Sequence, residues 1–157
     1  MQWTNGITVH GRPGEIWPWL AQLGCNRGGW YSYDGLDNGG VPSSERILPE
    51  FQEVSTGDVV PWTPTNSDGF VVKAVEQGRA LVLGGIPPPF SGIFAYVLEP
   101  LDESTTRVLI RVRFAPRNAV TALVPRLVVH PVAFAMQRRQ FLNIRRRVET
   151  RTALPAS

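Results

Sequence analysis

The chain has 157 residues, a mass of 17.4 kDa and a formal net charge of +3. That length suits one domain burying roughly 68–70% of its unfolded surface, with no need of staples. At 43% apolar and 18% charged residues the chain is not a disordered one, and no apolar run approaches a membrane-spanning helix.

Residues 1–157 are expected to form a single domain, with a core over about 3–150 and a short flexible C-terminal tail. The first residues lack a basic region followed by an apolar stretch, so no signal peptide and a cytoplasmic location are expected. A lone cysteine, Cys25, excludes an internal disulfide. Two histidines, His10 and His130, leave too few ligands for a His/Cys zinc site, so neither metal nor cofactor is expected.

In chain order, Ile7-Thr8-Val9 reads as a short strand, and Gly11-Arg12-Pro13 turns the chain. Ile16, Trp19, Leu20 and Leu23 then fall at i, i+3, i+4 and i+7, the stripe of an amphipathic helix. Pro18 lies inside that helix and requires it to start near Pro13. Gly24 fits as its C-cap. Residues 25–69 have weak periodicity, with short helical turns expected over 34–38 and 43–48 and Ser43 or Ser44 as a cap. Such a long irregular stretch in a compact domain is usually functional or contains short elements that periodicity does not show.

The rest reads as β and then helix. Val59-Val60 is a brief strand limited by Pro61. Residues 70–76 and 80–83 form a hairpin around Gln77-Gly78-Arg79. Residues 84–92 form a loop and 93–99 a strand. Residues 106–114 give the clearest strand. Thr106, Val108, Ile110, Val112 and Phe114 share one face; Arg107, Arg111 and Arg113 share the other with Leu109. After an apolar connector over 117–130, Pro131 opens a long helix to about Thr150. Its stripe is Phe134, Phe141, Ile144 and Val148, with Gln137 in the same row. The sheet exposes more apolar surface than the first helix covers, so the last helix must lie across it and enclose a natural pocket.

This order and its wording resemble the SRPBCC superfamily of START-related, polyketide cyclase-like proteins. The matching text runs from Ile7-Thr8-Val9 and Pro13-Gly14-Glu15-Ile16-Trp17-Pro18-Trp19-Leu20 through Arg27-Gly28-Gly29-Trp30-Tyr31-Ser32-Tyr33-Asp34 and Arg46-Ile47-Leu48-Pro49-Glu50. It continues with Tyr96-Val97-Leu98-Glu99-Pro100, residues 105–113 and Met136-Gln137-Arg138-Arg139. It covers about residues 3–150 and is similar to an actinobacterial branch. The resemblance implies an α+β helix-grip fold: a curved antiparallel sheet wrapped around a long C-terminal helix, with short helices after the first strand. It carries over no catalytic residue, because the superfamily shares no catalytic motif and fold does not imply function.

The residues themselves offer several sites. Trp30 and Tyr31 are candidates for a cavity mouth, Phe94 or Tyr96 for its sheet wall, and Phe134, Gln137 and Phe141 for its helix wall. Aromatic rings supply apolar area with a polar handle. Packing of the same aromatics, with Arg27 paired to Asp34, is the structural alternative. Among Asp34, Asp37, Glu45 and Glu50, a buried carboxylate would have a raised pKa and suit acid–base work. Asp34 and Glu45, with Tyr33 as a donor, are the catalytic candidates, and ion pairing or capping is the alternative. His10 and His130 lack a partner in sequence, and Ser32, Ser43 and Ser44 lack a nucleophile-elbow context. No glycine pair matches a phosphate loop.

Arg145, Arg146 and Arg147 form a cationic cluster suited to transient contact with an anionic membrane. Complementing the helix macrodipole is the plainer role. No specific nucleic-acid binding is expected, since the aromatics are not interleaved with the arginines. The expected partner is a small hydrophobic molecule, lipid or polyketide-like. A cyclase or dehydratase-type enzyme is the alternative, and an interaction module with a collapsed pocket is the third reading.

Overall fold

The computed structural model describes residues 2–65, 69–85, 91–115 and 130–152. Six strands form one antiparallel sheet: β1 (Gln2–His10), β2 (Val59–Pro61), β3 (Gly69–Glu76), β4 (Ala80–Gly84), β5 (Ser91–Pro100) and β6 (Thr105–Ala115). Their order across the sheet is β1-β6-β5-β4-β3-β2. The helices are α1 (Pro13–Ala21), the one-turn α2 (Asp34–Asp37) and α3 (His130–Thr152), with a 3-10 turn at Pro49–Phe51. This is the α+β helix-grip architecture.

Alternation in β6 decides which face of the sheet is inside. Thr106, Val108, Ile110 and Val112 are buried, while Arg107, Arg111 and Arg113 are exposed. Antiparallel pairing passes that parity to the neighbours: Tyr96 lies opposite Ile110, Phe94 opposite Val112, and Leu83 opposite Phe94. So Phe94, Tyr96 and Leu98 share the inner side of β5. β1 runs five residues beyond the expected Ile7–Val9 at its N-terminal side, because it pairs with β6 along its whole length from Gln2 to His10. Gly6 there faces Leu109 too closely for a Cβ.

Pro13 is the first residue of α1, as Pro18 requires, and Pro18 leaves the Gly14 carbonyl without its usual partner. Glu15 reaches back to accept from the Arg12 backbone N–H at 2.7 Å, closing the first turn. Ile16, Trp19, Leu20 and Leu23 are all buried. The helical turn expected over 43–48 is absent. There the backbone is held by Gln22, Asp34 and Arg147 rather than by its own turn, and the 3-10 turn comes later, at Pro49. α3 packs on β1 and α1. Phe141, Ile144 and Val148 lie in the core. The connector expected over 117–130 lies outside the described residues except His130, which is the first residue of α3.

Candidate functional site

A cavity of about 330 Å³ lies between the concave face of the sheet and the N-terminal half of α3. Phe70, Leu83, Phe94, Tyr96 and Ile110 form its sheet side. Ala133, Met136, Gln137 and Gln140 form its helix side, and Trp30, Ser32, Asp37 and Trp62 close it from the segment between α1 and β2 and just beyond. The rings are interlocked edge to face. Phe70 is 5.6 Å from Trp30, 5.9 Å from Trp62 and 5.2 Å from Phe94. Such pairs favour tilted over stacked geometry, so they fix the wall's shape.

The helix wall explains which predicted residues meet. Successive residues on a helix are separated by roughly 100°. Ala133, Met136, Gln137 and Gln140 therefore share one face, from which Phe134 is rotated away. Phe134 is exposed and lies outside the cavity wall, and Phe141 is buried below it in the core. Tyr31 is buried as well, but against Trp19 and Arg147 rather than at a mouth. Trp30, Phe94, Tyr96 and Gln137 are in the wall.

The irregular segment that carries Trp30 and Asp37 is held by side chains. Buried Gln22 donates to the Tyr31 hydroxyl (2.9 Å) and to the Arg46 carbonyl (3.1 Å), and accepts from Leu48 N–H (2.9 Å). Three consecutive carbonyls of the segment accept from α3. Gln140 reaches Trp30 O (2.9 Å), Asn143 reaches Tyr31 O (2.9 Å) and Arg139 reaches Ser32 O (3.0 Å). Gly28 is required because a Cβ there would lie 2.6 Å from both Gln22 Cγ and the Tyr31 hydroxyl. Tyr31 has φ +56, a region that bulky residues avoid, and its N–H donates to Ser43 Oγ at 3.0 Å. The surroundings over-determine that conformation, the condition under which strain persists.

The two preferred carboxylates have structural positions outside the cavity wall. Asp34 accepts from the Ser43 hydroxyl (2.5 Å) and backbone N–H (3.1 Å), so it does not pair with Arg27. Arg27 instead donates to the Ala21 carbonyl at 2.8 Å and lies over the Phe51 ring. Glu45 is largely exposed and bridges Arg146 (2.7 Å) and Arg147 (2.8 Å). Tyr33 is exposed, with Arg139 over its ring at 4.4 Å. Of the three C-terminal arginines, Arg147 is buried and bonded to Ser44 O at 2.9 Å, so only Arg145 and Arg146 offer charge to solvent. His10 gives its backbone N–H to Glu149, and His130 packs edge-on to Trp3 at 4.8 Å.

The carboxylate in the cavity wall is Asp37. Its two oxygens are sealed from solvent and have no well-formed hydrogen bond among the described residues; nor has the hydroxyl of Ser32 beside it. Burial pushes the Asp37 carboxyl above its ordinary range, and the like charge of Asp34 adds to this. The Ser32 hydroxyl and nearby backbone N–H groups pull the other way. Tyr96, fully enclosed, is also pushed up, mainly by burial. Its hydroxyl donates to Gln140 Oε1 at 3.2 Å. Gln137 Oε1 accepts from Asn5 (2.6 Å) and Trp3 (3.3 Å). The cavity is thus aromatic and apolar, with one acid, Asp37, and four polar donor–acceptor side chains, Ser32, Tyr96, Gln137 and Gln140, set in its described wall. Nothing in the sequence distinguished Asp37 from Asp34, three residues earlier. The spacing 133, 136, 137, 140 is that of one helix face, but its small and polar residues do not mark it as an apolar row.

Among the described residues, no cluster of three or more His, Cys, Asp or Glu side chains stands close enough to hold a metal ion. Among them, too, no helix is long and apolar enough to cross a membrane.

No protein-family model and no curated protein matches the sequence. Solved structures do match in fold. The KanY protein superposes with a TM-score of 0.57 at 13% identity, over 95% of this chain and 97% of that one. Protein MLL2253 from Mesorhizobium loti gives a TM-score of 0.55 at 13% identity, over 98% of this chain and all of that one. BexL, a di-domain ARO/CYC from the BE-7585A biosynthetic pathway, gives 0.54 at 14% identity. The match covers 98% of this chain and 48% of that one. The strand order, the long C-terminal helix and these likenesses agree: this chain has an α+β helix-grip fold, shared with these proteins.

Proposed function

We propose that the chain binds a small hydrophobic ligand, lipid or polyketide-like, between the sheet and α3. The observation that carries this reading is the aromatic and apolar lining of a cavity of about 330 Å³. That volume falls within the range of small-molecule sites, roughly 300–1,000 Å³. An open cavity favours binding over an interaction module with a collapsed pocket. The proposed setting is cytoplasmic, with Arg145 and Arg146 as the cations for any passing contact with an anionic membrane.

The test is native mass spectrometry of freshly purified protein, followed by organic extraction of whatever is bound. A reproducible excess mass from a lipid or polyketide-like compound is the expected result. A bare chain that also gains no thermal stability from a panel of hydrophobic ligands would contradict it.

A second reading, a cyclase or dehydratase-type enzyme, is favoured by Asp37. A carboxyl made more basic by burial suits proton transfer, and Tyr96 shares its cavity. If extraction yields a polyketide-like compound, turnover by Asp37→Asn decides between the readings. Unchanged turnover removes Asp37 from the chemistry.

A further inference from the structure

We infer that the cavity selects apolar ligands that carry a cationic nitrogen, an ammonium group seated among aromatic rings in the field of Asp37. This rests on the cavity being a ligand site and specifies the ligand's charge.

Three observations converge. Five aromatic side chains contribute to the lining: Trp30, Trp62, Phe70, Phe94 and Tyr96. Ring faces carry negative potential and attract cations, most strongly where water is excluded. Next, Asp37 is the one charged side chain in the described lining, and no arginine or lysine joins it there. Finally, among the described residues no cation acts on that charge; the Ser32 hydroxyl and backbone N–H groups offset its burial only in part. Its oxygens lack a well-formed hydrogen bond, and the charge acting on it, Asp34, has the same sign. Asp34 itself is engaged by Ser43. A charge buried in a low-dielectric wall acts over a longer distance than one in water. The cavity therefore sits beside a negative charge that no cation among the described residues balances, and is framed by rings that favour a positive one.

Chemistry then sorts the ligands. An alkyl ammonium gains both the ring faces and the field of the Asp37 carboxylate, and its tail covers Leu83, Ile110 and Met136. An alcohol of the same length gains only the burial of its tail. A carboxylate is repelled by Asp37 and by the ring faces. Of the described arginines of α3, buried Arg147 and exposed Arg139 are engaged elsewhere. Arg147 is held by Tyr31, Ser44 and Glu45, and Arg139 by Ser32 O and the Tyr33 ring.

The test is calorimetric titration of the intact chain with octylammonium, octanol and octanoate below their micellar concentrations. Octylammonium is expected to bind at least about tenfold more tightly than octanol, with octanoate weakest. In Asp37→Asn, which keeps the side chain's size, the ammonium preference should fall at least about tenfold while octanol binding persists. Equal binding of octylammonium and octanol by the unaltered chain would overturn the inference and leave the apolar site standing. So would an unchanged preference in a folded Asp37→Asn. If none of the three probes enters, the inference and the ligand-site reading fall together. The unaltered chain alone decides the charge preference, so the test does not depend on the variant's folding.

Discussion

The guanidinium of Arg147 lies 4.9 Å above the ring of Tyr31, a residue whose own backbone has φ +56. One side chain thereby holds a strained aromatic residue, and its other bonds reach Ser44 O at 2.9 Å, Glu45 at 2.8 Å and Asn143 O at 3.2 Å. The segment that closes the cavity is fixed to α3 through this contact and through the donors Arg139, Gln140 and Asn143. Arg147→Ala should destabilise the chain by about 2–4 kcal/mol, since it strands buried carbonyls and removes the ring's cover. Arg147→Lys should recover only part, because an ammonium cannot supply a planar fork and stack together. Urea denaturation of the two variants measures both.

Gly28 is tied to the same segment from the other side. Its missing Cβ makes room for Gln22 and the Tyr31 hydroxyl. Gly28→Ala should lower stability by about 1–3 kcal/mol through overpacking. The same change at Gly35, where a Cβ meets nothing within 4 Å, should not lower it. Thermal melts of the pair separate close packing from a general effect of losing glycine.

Asp37 should make the chain less stable at neutral pH than it could be. Its carboxyl is raised in the folded state, so its proton is held more tightly there than in the unfolded chain, where the value is about 3.9. The stability linked to that proton is complete below the unfolded value and is lost as pH rises through the folded one. Among the described residues, Asp34, Cys25 and Tyr96 are the titratable groups coupled to it, and none supplies a positive charge. Asp37→Asn should therefore melt higher than the unaltered chain at pH 7, by about 2–4 °C for each 1 kcal/mol of charge burial relieved. The gain should shrink as the pH falls toward about 4. Melting curves across that range check the sign, and a variant that melts lower at pH 7 would refute it.

Cys25 should be an inert thiol. It is 1% exposed, and burial pushes its pKa up, with the charge of Asp37 adding to this and the Trp30 indole opposing it. Thiolate is the reactive form, so alkylation of the native chain should be slow and should become rapid in denaturant. Rapid native labelling would show that the segment around Cys25 opens readily.

Much of the frame was legible in the sequence because its signals are periodic. The alternation of β6 fixed the inner face, and antiparallel register carries it to Phe94 and Tyr96. The long helix followed from Pro131 and its apolar row. What was not legible depends on rotation and on side-chain bonding. Phe134 and Phe141 read as wall residues because they are large and apolar. Ala133, Met136 and Gln140 lie on the cavity face instead, and small or polar residues give no such signal. Asp34 and Asp37 look alike in a sequence. Only the folded segment gives one of them the Ser43 hydroxyl and leaves the other without a well-formed hydrogen bond among the described residues. Gln22, whose amide organises residues 31–52, belongs to no motif.

If the cavity between the sheet and α3 takes up an apolar ligand, the apolar fluorophore N-phenyl-1-naphthylamine should enter it, with Trp30 in the wall as an internal reporter. Saturable binding at one site per chain is predicted. It should weaken at least about tenfold in Ala133→Phe, whose ring would occupy the cavity. Binding of the fluorophore with equal strength by a folded Ala133→Phe, or no saturable binding by the unaltered chain, would contradict that uptake.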